Sequence, residues 1–212
     1  MSHSFSLSFR SRLTIPAFSA FITALLSRQR IHSLQSVTFH SHHWESDLSQ
    51  TTIHPPFYDM LGPFTCLSLL GELSIHLNDC LPIDDDELVS LARHWPHLWS
   101  LRLLTLVPHG YPWDSGKYVT LRGLASLVEC CPRLRWIYLP LDARQVPADI
   151  PHRSMVVPLL PVTLIRFVDS PINNPQLVAD FLVRVFPSLP CVSHSFESPR
   201  GDDEEILLYK AA

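Results

Sequence analysis

Short segments with the same pattern of apolar residues recur along this chain. In each segment the first, fourth and sixth positions are apolar, with His194 as the one exception. The fifth position, between the last two of these, varies in residue type. The segments begin at Leu34, Leu70, Leu98, Leu134, Val162 and Leu189. Buried residues that alternate in this way are typical of a β-strand with one face in the core. We therefore predict a repeated short strand at each segment.

The residues before three of these strands have the spacing of an amphipathic helix. Asp84, Thr120 and Asn174 are candidate N-caps, and apolar residues at helical spacing follow each of them. The other connections are less regular, since five prolines between residues 140 and 161 leave no room for a long helix. We expect helices on some units and irregular chain on the others.

A strand and a connection that repeat along the chain are the sequence pattern of a leucine-rich-repeat solenoid, because one unit cannot cover its own apolar face and stacks on its neighbours. The pattern predicts an α/β fold with a curved parallel sheet of about six short strands, and with helices and irregular segments on the convex side. We expect a single domain over residues 1–212, with repeats in 13–195 and a C-terminal cap or tail in 196–212.

Composition narrows the class of partner. The 212-residue chain has a formal net charge of −4, which gives no overall attraction to nucleic acid or to an anionic membrane. No apolar run approaches the length of a membrane span, and the five cysteines lack C-x-x-C spacing. We expect an intracellular protein, cytoplasmic or nuclear, with neither a nucleic-acid nor a membrane partner. Residues 1–30 carry arginines but no acids, which fits either a transit peptide or the first repeat.

Residues 84–98 and 119–134, together with Asp169–Ile172 and the segment beginning Phe186-Pro-Ser-Leu189, resemble the leucine-rich-repeat region of fungal F-box proteins. The resemblance covers most of residues 13–195. It implies a ribonuclease-inhibitor-like solenoid that binds the protein substrate of a ubiquitin ligase. The F-box itself has no counterpart in this sequence, so a Skp1-type adaptor is expected as a partner only if an F-box lies upstream.

The outward positions of the predicted strands are where a protein partner would be recognised. Tryptophan, tyrosine and arginine are enriched in binding hot spots. Our candidate contact residues on the concave face are Arg102, Trp136, Tyr138, Arg166 and His76. A purely structural role fits the same residues, with the rings shielding the sheet and an arginine stacked on one of them by cation–π attraction.

Catalytic and metal motifs are weak in this sequence. No G-x-S-x-G, Walker, G-x-G-x-x-G or H-E-x-x-H motif is present, and we expect neither catalytic residues nor a cofactor. His40, His42 and His43 allow a metal site, although a solvated loop fits their spacing better. The sequence favours a protein-recognition module that is not an enzyme. The alternatives are a small hydrolase or metal-dependent enzyme on an irregular α/β scaffold, and a non-functional fragment of a longer receptor.

Overall fold

The computed structural model describes residues 3–9, 15–27, 33–41, 61–77, 83–105, 118–148, 162–168, 170–197 and 203–210. These residues form one sheet of eight strands, and the order of the strands in the sheet is their order along the chain. The strands are β1 (His3–Phe9), β2 (Leu34–Ser41), β3 (Glu72–Leu77), β4 (Ser100–Thr105), β5 (Trp136–Leu139), β6 (Leu164–Val168), β7 (Cys191–Glu197) and β8 (Asp203–Lys210). The described helices are α1 (Ile15–Leu26), a 3₁₀ helix (Gly62–Cys66), α2 (Asp85–Ala92), α3 (Leu121–Cys130) and α4 (Pro175–Val185).

The predicted α/β class and the parallel sheet are confirmed. Strands β1 to β7 are parallel, β8 is antiparallel to β7, and the sheet is open, with β1 and β8 at its two edges. Strands β2 to β7 correspond to the six predicted segments, and β1 was not predicted. None of the described helices is long and apolar enough to cross a membrane.

The C-terminal strand begins with acidic residues. Asp203, Glu204 and Glu205 lie within β8 and pair with β7, in the region where the sequence predicted a C-terminal cap or tail. An edge strand tolerates charged side chains, which also discourage pairing with another molecule. Strand β8 therefore includes these acidic residues at its start.

One row of apolar residues runs across the sheet at the fourth position of each repeat. Strand pairing places these residues side by side on consecutive strands, and all of them are buried. The row consists of Val37, Leu73, Leu101, Ile137, Ile165 and Val192. Since neighbouring strands keep one register, alternate residues of the same strands form a second row on the opposite face.

The predicted helix starts are confirmed by their capping bonds. The Asp84 side chain accepts from the backbone N–H of Glu87, and the Glu87 side chain accepts from the backbone N–H of Asp84, which is a capping box. Thr120 caps α3, and Asn174 caps α4 with a proline in the first turn. The helices begin where the sequence places them because each cap satisfies a backbone donor that the helix leaves unpaired.

Asp85 connects two neighbouring repeats. Its carboxylate accepts hydrogen bonds from the backbone N–H and from the hydroxyl of Thr120, each 2.7 Å long. Gly123 leaves room for this carboxylate, because a Cβ there would lie 2.6 Å from the carboxyl carbon of Asp85. The start of α2 is thereby fastened to the start of α3. The acidic run 84–86 thus caps α2 through Asp84 and joins it to α3 through Asp85.

The core lies between the sheet and the helices. Trp95 is one of its largest fully buried side chains, and its indole N–H donates to the carbonyl of Phe64 at 2.9 Å. The thiol of Cys131 is also buried and lies 3.5 Å from the carbonyl oxygens of Ala92 and Trp95. Burial raises the pKa of the Cys131 thiol to about 12, so it acts as a small apolar side chain.

Candidate functional site

The outward residues of the strands form a row of their own, which we call the open-face row. Strand pairing places its members side by side on consecutive strands. They are Thr38, Ser74, Arg102, Tyr138, Arg166 and Ser193. A second outward row passes through Ser36, Glu72, Ser100, Trp136 and Leu164. Several candidate residues that are distant in sequence are thus brought to one face of the sheet.

Three of the five candidate residues are in contact. The guanidinium carbon of Arg102 lies 5.6 Å from the centre of the Trp136 ring and 5.1 Å from that of Tyr138. Both distances fall within the range of cation–π attraction. Trp136 is 36% exposed, while Arg102 and Tyr138 are partly buried. A cation held by two rings is therefore accessible at the middle of the sheet.

Trp99 completes this group and was missed by the sequence analysis. Its ring packs edge-on against Trp136, with 5.2 Å between ring centres and 73° between the planes. Gly71 makes the position possible, since a Cβ on that residue would lie 2.6 Å from the indole nitrogen of Trp99. We call Trp99, Arg102, Trp136 and Tyr138 the arginine–aromatic cluster. Trp99 precedes the outward positions of its strand, so alternation alone could not identify it.

Arg166 and His76 lie on the same face outside the cluster. Arg166 pairs in register with Tyr138, on the side of Tyr138 opposite to Arg102. His76 lies one strand away from Arg102 and its ring packs against that of His40, with ring centres 4.1 Å apart and planes tilted by 38°. The structure therefore brings all five candidates to one face and places Arg102 in contact with Trp136 and Tyr138.

The environment of His76 keeps its imidazole neutral. Burial and the nearby charges of His40 and Arg102 lower the pKa of His76 to about 4. Its Nε2 lies 2.9 Å from the hydroxyl oxygen of Ser74, which gives the neutral ring a hydrogen-bond partner. The neutral imidazole of His76 therefore adds no positive charge to this part of the face near neutral pH.

Four residues that alternation placed on the exposed face are buried instead. Ser74, Ser100 and Ser193 have short side chains, and the longer side chains of Arg102, Trp136 and Arg166 lie beside them on neighbouring strands. Val168 is buried where β6 ends, near a turn in which the Ser170 hydroxyl donates to the Val168 carbonyl. The pleat gives the direction of a side chain, whereas the neighbours determine its exposure.

Other candidate chemistry is sparse in the described part of the chain. Among those residues, no group of three or more histidine, cysteine, aspartate or glutamate side chains is arranged to hold a metal ion. His42 and His43, which the metal hypothesis used, lie outside the described residues. An apolar pocket of about 60 Å³ lies beside α4, and its lining includes Ile172, Val178 and Leu182. All of its lining side chains are apolar, so this pocket offers no group for acid–base chemistry.

Comparison with known proteins gives no assignment. No family model matches the chain, and no curated protein sequence matches it.

Proposed function

We propose that this chain is a leucine-rich-repeat protein-recognition module whose open sheet face binds a segment of a protein partner. The observation that carries the proposal is the arginine–aromatic cluster, in which Arg102 lies within 5.6 Å of two aromatic ring centres on an accessible face. Large aromatic and arginine side chains contribute most of the binding energy in many protein interfaces. A hot spot at the centre of the sheet is the arrangement expected of a recognition surface.

The strand order supports recognition over catalysis. In doubly wound α/β enzymes the ligand binds where the strand order reverses, because the connecting helices there diverge to opposite faces and open a crevice. The order from β1 to β8 follows the chain without reversal in the described sheet. A solenoid instead presents a continuous face made of outward residues from every repeat.

The resemblance to fungal F-box proteins extends the proposal to a cellular role. We propose that the module selects protein substrates for a ubiquitin ligase, and that a Skp1-type adaptor binds only to a longer chain with an F-box upstream. Gene sequence upstream of Met1 tests this part. An in-frame F-box supports the ligase role, and an in-frame stop codon directly upstream of Met1 contradicts it while leaving the recognition surface unaffected.

Peptide selection tests the recognition surface itself. A displayed library of random peptides is selected on the immobilised wild-type chain, and the enriched peptides are synthesised. We expect them to bind an Arg102→Ala/Tyr138→Ala variant at least about tenfold more weakly, because each removed side chain is a proposed hot spot.

The matched control is Leu177→Ala/Val183→Ala, which removes two exposed apolar side chains from the helical side. This variant should bind the peptides as the wild type does. Thermal unfolding of both variants establishes that each is folded. Equal binding by the wild type and the folded Arg102/Tyr138 variant, or failure to enrich any peptide, would contradict the proposed function.

A further inference from the structure

We infer that the arginine–aromatic cluster recognises a carboxylate side chain within an acidic peptide segment of the partner. This inference rests on the proposed function, because it identifies the chemistry of the segment that the open face binds. Three observations lead to it: the sign of the charges on the face, the unpaired donors on β4, and the way in which the rings hold the guanidinium.

The charges in the middle of the open face have one sign. On the outward positions of β4, β5 and β6 the charged side chains are Arg102 and Arg166. The nearest outward acid on a neighbouring strand is Glu72 of β3, whose carboxylate accepts a hydrogen bond from Ser36 on β2, on the far side from Arg102. Arg102 therefore places a positive charge on the described part of the face, which favours an anionic group of a partner although the whole chain carries a net charge of −4.

Two polar groups of β4 have no partner in the described part of the chain. The Nε of Arg102 and the hydroxyl of Ser100 are buried, and neither has a hydrogen-bond partner there. Ser100 is fully buried and lies two residues before Arg102, on the same face of the strand. Buried donors without acceptors are costly. Ser100 is out of a partner's reach, whereas Arg102 is partly exposed, so its guanidinium is the group to which a partner could supply an acceptor.

The aromatic rings contact Arg102, with ring centres 5.1 and 5.6 Å from its guanidinium carbon. Among the described residues no side chain or backbone oxygen accepts a hydrogen bond from Arg102. The N–H groups of a guanidinium lie in its plane and match the two oxygens of a carboxylate. The ring contacts restrict the position of the cation before a partner binds, which reduces the entropy cost of binding.

Arginine beside tryptophan and tyrosine also suits single-stranded nucleic acid, whose bases stack on aromatic rings. Such binding depends on a groove of positive charge that follows the phosphate backbone. The open face carries two arginines within a net-acidic chain, which favours a single carboxylate contact over a phosphate track.

The test uses the peptides selected on the wild-type chain, each compared with a copy in which Asp and Glu are replaced by Asn and Gln. We expect the acidic peptide to bind Arg102→Gln about 10- to 100-fold more weakly than the wild type, since a charge-assisted hydrogen bond is lost. The amide copy should bind the wild type and Arg102→Gln equally. An Arg102→Lys variant, which keeps the charge but loses the planar donors, should recover only part of the affinity.

Arg122→Gln is the matched control, because it removes the same charge from an exposed position on α3. Its affinity for the acidic peptide should equal that of the wild type. The inference is overturned if the amide copy binds the wild type as tightly as the acidic peptide does. It is also overturned if a twelve-nucleotide single-stranded oligothymidylate displaces the acidic peptide at equal concentration.

These outcomes separate the inference from the proposed function. If the peptides bind Arg102→Ala/Tyr138→Ala more weakly but their amide copies bind the wild type as tightly as the acidic forms, the recognition surface stands and the inference of an acidic partner fails. If the peptides bind the wild type and all of the folded open-face variants equally, both the proposed function and the inference of an acidic partner fail.

Discussion

The two faces of the sheet are built from alternate residues of the same strands, yet they differ in chemistry. On the helical face the row from Val37 to Val192 is entirely apolar and buried. On the open face the neighbouring residues include Arg102, Tyr138 and Arg166, all partly exposed. One face is covered by helices that pack on it, and the other carries groups that water or a partner can reach.

This contrast indicates which substitutions should change the stability of the fold and which should change the binding of a partner. Burial of apolar surface is the main favourable contribution to folding, so side chains on the helical face should determine stability. Partly exposed cations and rings contribute less to stability and more to contacts with other molecules. Matched substitutions on the two faces can separate these effects.

The largest expected effect is that of removing a buried tryptophan. Trp95→Ala deletes a ring that is 1% exposed and removes one of the two hydrogen bonds that the Phe64 carbonyl accepts, the other coming from the Leu67 N–H. We expect a loss of about 3–5 kcal/mol in the free energy of unfolding, mainly because the ring leaves a cavity. Trp136→Ala makes the same chemical change on the open face and should cost about 1 kcal/mol, mainly through its contact with Trp99. Urea denaturation measures both values. Equal losses would contradict the division between the faces.

The contact between α2 and α3 should give the next largest effect. Asp85→Ala removes two hydrogen bonds to Thr120 and should destabilise the chain by about 2 kcal/mol, because charge-assisted bonds are stronger than neutral ones. Asp86→Ala is the control, since this residue is an exposed acid in the same first turn of α2. Its loss should cost only about 0.5 kcal/mol of interaction with the helix dipole. Equal unfolding midpoints for the two variants would show that Asp85 does not join the repeats.

Acidification should weaken the fold through the open face. The pKa of His76 is about 4 in the folded chain and 6.5 in the absence of its surroundings, so the unfolded chain binds the proton more readily between these values. Stability is therefore retained above pH 6.5 and is lost as the pH falls toward 4, by about 1 kcal/mol after allowance for solvent screening of a partly exposed ring.

His76→Gln should flatten this part of the stability profile. Asp142, whose pKa is lowered first by its hydrogen bond to Arg144, titrates below its ordinary value of 3.8 and thus outside the His76 window. Unfolding midpoints of the wild type and His76→Gln at several pH values between 6.5 and 4 measure the difference. Parallel profiles would contradict the account of His76.

The smallest effect on stability should come from the residue proposed to matter most for binding. Arg102→Met removes two cation–π contacts but also removes a buried Nε that has no acceptor, so the net change should be below about 1 kcal/mol. Thermal and urea unfolding measure it. A loss comparable to that of Trp95→Ala would mean that the cluster holds the fold together.

The features that sequence predicted are those set by local spacing. Asp84, Thr120 and Asn174 cap the helices that follow them, and the row of buried residues follows from the repeat of the strand pattern. The same register placed Arg102 beside Tyr138. Alternation and capping depend on residues close in sequence, so they can be read without a structure.

The features that sequence did not predict depend on close approach between distant residues. Trp99 joins the cluster because Gly71 leaves room for its ring, and Asp85 reaches Thr120 across 35 residues of chain. The contact between the rings of His40 and His76 likewise depends on the pairing of β2 with β3. Packing of this kind depends on how the repeats assemble, so it cannot be predicted from any short segment of the sequence.

The most direct test of the division between the faces is to find where a selected peptide lies when bound. A photoreactive p-benzoylphenylalanine replaces Leu164, which pairs with Trp136 on the open face, or Val183, which is exposed on α4. The account predicts that the peptide crosslinks at position 164 and not at position 183. Crosslinking at 183 with none at 164 would contradict it.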